Sequence, residues 1–73
     1  NKEKQETDFL ITQSEKPWLL IEIKYSDGPI PKHHIETQEM LNGIPLVQLC
    51  REKNIAVTQK KNTYRISASR LLA

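Results

Sequence analysis

The sequence predicts an α/β fold: a small mixed sheet with a β-hairpin and one crossover helix. Three observations predict it. Two apolar segments rich in β-branched and aromatic residues, TDFLIT (7–12) and WLLIEIKY (18–25), flank the polar stretch QSEKP. A breaker, SDGPIP (26–31), leads into a stretch of helical character. A third apolar run, IPLVQLC (44–50), follows that helix, so the strands before and after it can lie side by side in parallel.

Taken in order, residues 7–12 alternate, with Phe9 and Ile11 on one face and Asp8, Leu10 and Thr12 on the other, as in a short strand. QSEKP is polar and closed by proline, which suits a hairpin loop. Residues 18–25 are too continuously apolar for a one-sided surface strand. Gly28 between Asp27 and two prolines marks the breaker. KHHIETQEMLNG (32–43) reads as a helix, with Pro31 suited to its first turn and Asn42-Gly43 as its stop. Ile30, His34, Thr37 and Leu41 share one face of it, a mixed stripe. IAVT (55–58) and TYRIS (63–67) are shorter strands joined by polar residues, and SASRLLA (67–73) begins a terminal helix capped by Ser67 or Ser69.

Seventy-three residues, 37% hydrophobic and 27% charged, make one soluble globular domain with a modest core. No apolar run approaches the roughly 20 residues that span a bilayer. The single cysteine, Cys50, excludes an internal disulfide and suits a reducing, cytoplasmic setting. The chain opens without Met and a strand starts almost at once, which suggests a fragment of a larger protein. Residues 51–73 hold Arg51, Lys53, Lys60, Lys61, Arg65 and Arg70 against Glu52 alone, whereas residues 1–27 hold four lysines and six acids. That asymmetry is compatible with a phosphate-contacting surface beside a metal site, and equally with a solvated face.

The unusual feature is Glu22 and Lys24 inside an otherwise apolar strand, because a buried ion without a partner is costly. Two residues apart on a strand, they point to one face with Trp18 and Leu20, while Leu19, Ile21, Ile23 and Tyr25 occupy the other. A three-residue hairpin loop (Ser14-Glu15-Lys16) places Asp8 opposite Glu22, and a five-residue loop places it opposite Lys24. Either register puts Asp8, Glu22 and Lys24 on one face. Converging carboxylates repel unless a cation lies between them, and Mg²⁺ is commonly held by one or two carboxylates with water and substrate phosphate. A nearby lysine can orient an attacking water or stabilise charge developing on phosphorus. The bland alternative is a structural Glu22–Lys24 pair on an edge strand, with Asp8 as neutraliser.

Asp8, the hairpin and Glu22-Ile23-Lys24 resemble the D…ExK signature of the PD-(D/E)xK restriction-endonuclease-like superfamily. ETDFLI, KPWLLIEIKYSD, GIPLVQL and YRISASRLL further resemble the C-terminal nuclease-like domain of bacterial and archaeal AAA-type ATPases of unassigned role, along nearly the whole chain. The resemblance implies a truncated restriction-endonuclease-like core, C-terminal to an ATPase domain through which alone ATP would enter. It implies Asp8 and Glu22 as metal carboxylates for Mg²⁺ or Mn²⁺, the backbone carbonyl of Ile23 as a further ligand, Lys24 as the catalytic lysine, and Ser26 as the small polar residue after it. The activity implied is metal-dependent cleavage of DNA phosphodiesters; the alternative is a non-catalytic docking or nucleic-acid-binding module that keeps the fold. Thr7 stands where the signature has proline. The superfamily's first core helix, which can carry an acid, is not expected within these 73 residues, and Glu6 is a weak candidate for that role.

The remaining candidates have simpler readings. His33 and His34 are adjacent on a helix and diverge, so they read as a surface and a half-buried residue. Cys50 reads as a small buried hydrophobe, Trp18 as core and Gln38 as solvated. The expected core comprises Phe9, Ile11, Leu19, Ile21, Ile23, Leu46 and Val47. A chain this small is expected to leave apolar sheet surface uncovered, for self-association or for the ATPase part of the same chain, and no membrane partner is implied.

Overall fold

The computed structural model describes residues 7–72; Glu6 lies outside the described residues. The elements are β1 (Thr7–Gln13), β2 (Lys16–Lys24), α1 (Lys32–Met40), β3 (Leu46–Cys50), β4 (Ala56–Lys60), β5 (Thr63–Ser67) and α2 (Ala68–Leu72). They build the expected small mixed α/β sheet, in strand order β1-β2-β3-β5-β4. β2 and β3 are parallel neighbours across α1, β3 and β5 are also parallel, and the two outer pairs are antiparallel. No helix among the described residues is long and apolar enough to cross a membrane.

The first hairpin reaches the expected pairing by another route. Its loop has two residues, Ser14 and Glu15, both at positive φ (52° and 65°), the backbone that matches the twist of the flanking strands. A two-residue loop alone would set Asp8 opposite Ile21. A bulge corrects this: Ile11 faces Leu19 and Thr12 faces Pro17, so Trp18 is the inserted residue. Asp8 therefore lies opposite Glu22. Trp18 stays out of the core and is 46% exposed, contrary to expectation. α1 ends as the sequence suggests: Asn42 and Gly43 take φ of 66° and 71°, and the Gly43 N–H reaches back to the Gln38 carbonyl at 2.9 Å.

The core lies on the other side of the sheet from the expected one. α1 covers the face bearing Leu20, Glu22 and Lys24, and the buried apolar cluster is Leu20, Ile30 and Leu46, with Ile35 and Ile44 packed against it. Of the seven expected core residues, only Leu46 is buried. Leu19, Ile21 and Val47 are half-buried, and Phe9 (48%), Ile11 and Ile23 are exposed. Alternation assigned residues to faces correctly but not the face the helix would choose. Among the described residues, apolar side chains stay exposed on this second face, as expected of so short a chain.

Gln38, expected in solvent, is buried. Its amide donates to the carbonyls of Ile44 (2.9 Å) and Asn62 (3.0 Å), and its Oε1 accepts the Thr63 hydroxyl at 3.3 Å. These bonds satisfy polar groups at the β3 entrance and the β4–β5 turn, and they fix the rotation of α1 about its axis.

Candidate metal centre

The site forms where β1, β2 and the first turn of α1 meet. β2 is an interior strand, flanked by β1 and β3, so the reading of a solvated Glu22–Lys24 pair on a sheet edge loses its premise. Glu22 is only 1% exposed. Lys24, one step further on the same face, is half-buried, and its amine lies near Gly28 in the breaker loop: a Cβ at Gly28 would stand 3.7 Å from Lys24 Nζ. Ile23 between them sends its side chain to the opposite, exposed face.

The residue that sequence reasoning missed is His34. It is buried, and its Nε2 lies 2.8 Å from Glu22 Oε2 and 3.9 Å from Asp8 Oδ1. One ligand atom from each of Asp8, Glu22 and His34 falls within 4.8 Å of the others. The signal available in the sequence was the position of His34 on the same helix stripe as Ile30; what it lacked was the knowledge that this stripe crosses β2 above Glu22. His33 is exposed, and its ring packs beside that of His34 with centroids 4.1 Å apart, so the two side chains do not diverge as expected.

The cross-strand register extends the polar row inward. Asp8, Glu22, Gln48 and Arg65 are successive partners on β1, β2, β3 and β5. Gln48 is fully buried and donates from Nε2 to the Gly28 carbonyl at 2.7 Å, and Arg65 Nε lies 3.6 Å from Asp27 Oδ1. The Asp27 N–H donates to Glu52 Oε1 at 2.9 Å, and the Ile30 N–H to Gln59 Oε1 at 3.2 Å. The loop between β2 and α1 is therefore tied to three other strands or their connections. This loop borders Lys24 and leads into the turn carrying His34, so the ties position both.

Cys50 is buried as expected and donates weakly from its thiol to the Glu52 carbonyl at 3.8 Å. Burial first, and the Asp27 carboxylate second, push its pKa up, the opposite of what a nucleophilic thiolate needs.

The donor set suits a divalent cation. Two carboxylates and an imidazole converge, with Glu22 and His34 shielded from water and Asp8, whose side chain is 55% exposed, at the mouth. Metal–ligand bonds near 2 Å place neighbouring donors about 3 Å apart. The His34–Glu22 separation already matches, and the exposed Asp8 side chain has room to close the remainder. No protein-family model, curated protein or solved structure matches the chain.

Proposed function

We propose that this chain is a metal-dependent nuclease-like domain acting on DNA phosphodiesters, belonging with the nuclease-like domains C-terminal to AAA-type ATPases that its sequence resembles. The observation that carries this reading is the pairing of Asp8 with Glu22 on the helix-covered face, with Lys24 next along that face. Asp8, Glu22 and the Ile23 carbonyl would hold Mg²⁺ or Mn²⁺. When bound, such an ion supplies Lewis-acid polarisation of a phosphoryl oxygen and lowers the pKa of water. Lys24 acts on the reactants and not on the ion, its amine orienting the attacking water and offsetting the charge gathering on the phosphate. Asp8, at the exposed mouth, meets substrate first, and the lysines and arginines of residues 51–73 offer phosphate contacts.

The second reading, a docking or nucleic-acid-binding module without catalysis, draws support from the closure of Glu22. With 1% exposure and His34 against its carboxylate, the site must rearrange before phosphate reaches it. Nicking of supercoiled DNA with Mg²⁺ or Mn²⁺, in the full-length protein, separates the two. Metal-dependent nicking that Lys24→Ala abolishes, with metal affinity retained, supports the nuclease. Metal-dependent nicking absent from the wild type overturns it.

A further inference from the structure

We propose that His34 is a metal ligand, so that the site takes a d-block ion such as Zn²⁺, Co²⁺ or Mn²⁺ in preference to Mg²⁺. This deepens the metal-site reading above and rests on it. Three observations carry the assignment. First, Nε2 is the shared vertex of the cluster, 2.8 Å from Glu22 Oε2 and 3.9 Å from Asp8 Oδ1, so one ring nitrogen lies within reach of both carboxylates. Second, the imidazole is buried and enters from a different element than the carboxylates, so the donors surround one point from the sheet and from the helix. Third, α1 is held in place. The His34 N–H donates to the Pro31 carbonyl at 3.0 Å, and Gln38, one turn on, is locked by its three hydrogen bonds. The ring is thus presented by a fixed scaffold, which lowers the cost of ordering it around an ion.

The chemical consequence is selectivity. Mg²⁺ demands oxygen ligands and gives up water reluctantly, whereas imidazole nitrogen suits zinc, iron and their neighbours. One nitrogen and two carboxylate oxygens form a donor set for the latter.

The test is metal titration of the chain without DNA. Calorimetry with Zn²⁺, Co²⁺, Mn²⁺ and Mg²⁺ should show the d-block ions binding more tightly than Mg²⁺, and His34→Gln should lower Zn²⁺ affinity by at least about tenfold, the loss that even outer-shell changes bring about. The same substitution should leave the weaker Mg²⁺ binding in place. Should His34→Gln fail to fold, ¹⁵N NMR of the wild type still decides the matter: Zn²⁺ must shift the His34 ring nitrogen resonances by far more than those of the adjacent His33. Equal affinities for Mg²⁺ and Zn²⁺, or tight Zn²⁺ binding that His34→Gln does not change, would overturn His34 as a ligand while the two-carboxylate site stands. If no divalent ion binds the wild type, both readings fall.

Discussion

Replacing Glu22 measures what holds the centre together in the absence of metal. Glu22→Ala removes a carboxylate at 1% exposure, leaves His34 without its 2.8 Å partner and opens a void in an interior strand. Removing one member of a buried pair costs up to about 3–5 kcal/mol when both members are charged. At roughly 0.05–0.15 kcal/mol per residue, a 73-residue chain has about 4–11 kcal/mol to lose, so this variant sits at or near the unfolding threshold. Glu22→Gln is the informative variant, because it preserves volume and an oxygen acceptor for His34. The loss is then that of the carboxylate's charge opposite the imidazole, about 1–1.5 kcal/mol, or about 4–12 °C in Tm for a domain of this size. Urea unfolding followed by circular dichroism in EDTA, on Glu22→Gln, His34→Gln and the double variant, gives the coupling. A coupling of at least about 0.5 kcal/mol is expected for residues in contact. Additive single-variant effects would refute the pair as the support of the metal-free site. Acid–acid repulsion alone would let either carboxylate go without harm to the fold; with Glu22 buried against His34, that holds only for the exposed Asp8.

Other outcomes follow from the same geometry. Gln38→Leu should cost about 1–3 kcal/mol by denaturant titration, because it strands the Ile44 carbonyl, while the Asn62 carbonyl keeps the Leu46 N–H and the Thr63 hydroxyl keeps the Lys61 carbonyl. Leu20→Ala should destabilise by about 2–4 kcal/mol while Phe9→Ala, half-exposed on the uncovered face, costs less; the reverse order in thermal melts would mean that the helix packs on the other face. Glu15→Gly should raise stability by about 0.5–1 kcal/mol, the left-handed penalty of an L side chain less the extra chain entropy a glycine loses. Cys50 should react slowly with a thiol reagent at neutral pH until the protein unfolds. Its raised pKa means that the buried thiol favours folding while protonated; that contribution is whole below the ordinary thiol pKa and is lost as pH climbs through the folded value, a loss that Cys50→Ala should remove from the alkaline unfolding curve.

The sequence by itself determined the order and type of elements, the parallel pairing of β2 with β3, the stop at Asn42-Gly43, and the placement of Asp8, Glu22 and Lys24 on one face. These rest on local causes: the two-residue period of a strand, the breakers, and a register that an even shift preserves. The bulge at Trp18 was not legible, because a bulge trades one loop residue for one strand residue and leaves the pattern unchanged. Nor was the choice of covered face. Residues 18–21 are apolar on both sides, so only the docking of α1 decided that Leu20 and Glu22 would be buried while Phe9 and Ile23 stayed exposed. That docking set the fates of Gln38 and His34, which sequence reading placed in milder surroundings, and of Gln48, to which it assigned nothing. Gln38 became a buried strut, Gln48 a tie to the Gly28 carbonyl, and His34 the neighbour of two carboxylates that lie more than ten residues away in the chain. Contacts of that separation depend on how a helix rotates over a sheet, a quantity summed from many weak packing terms and carried by no single motif.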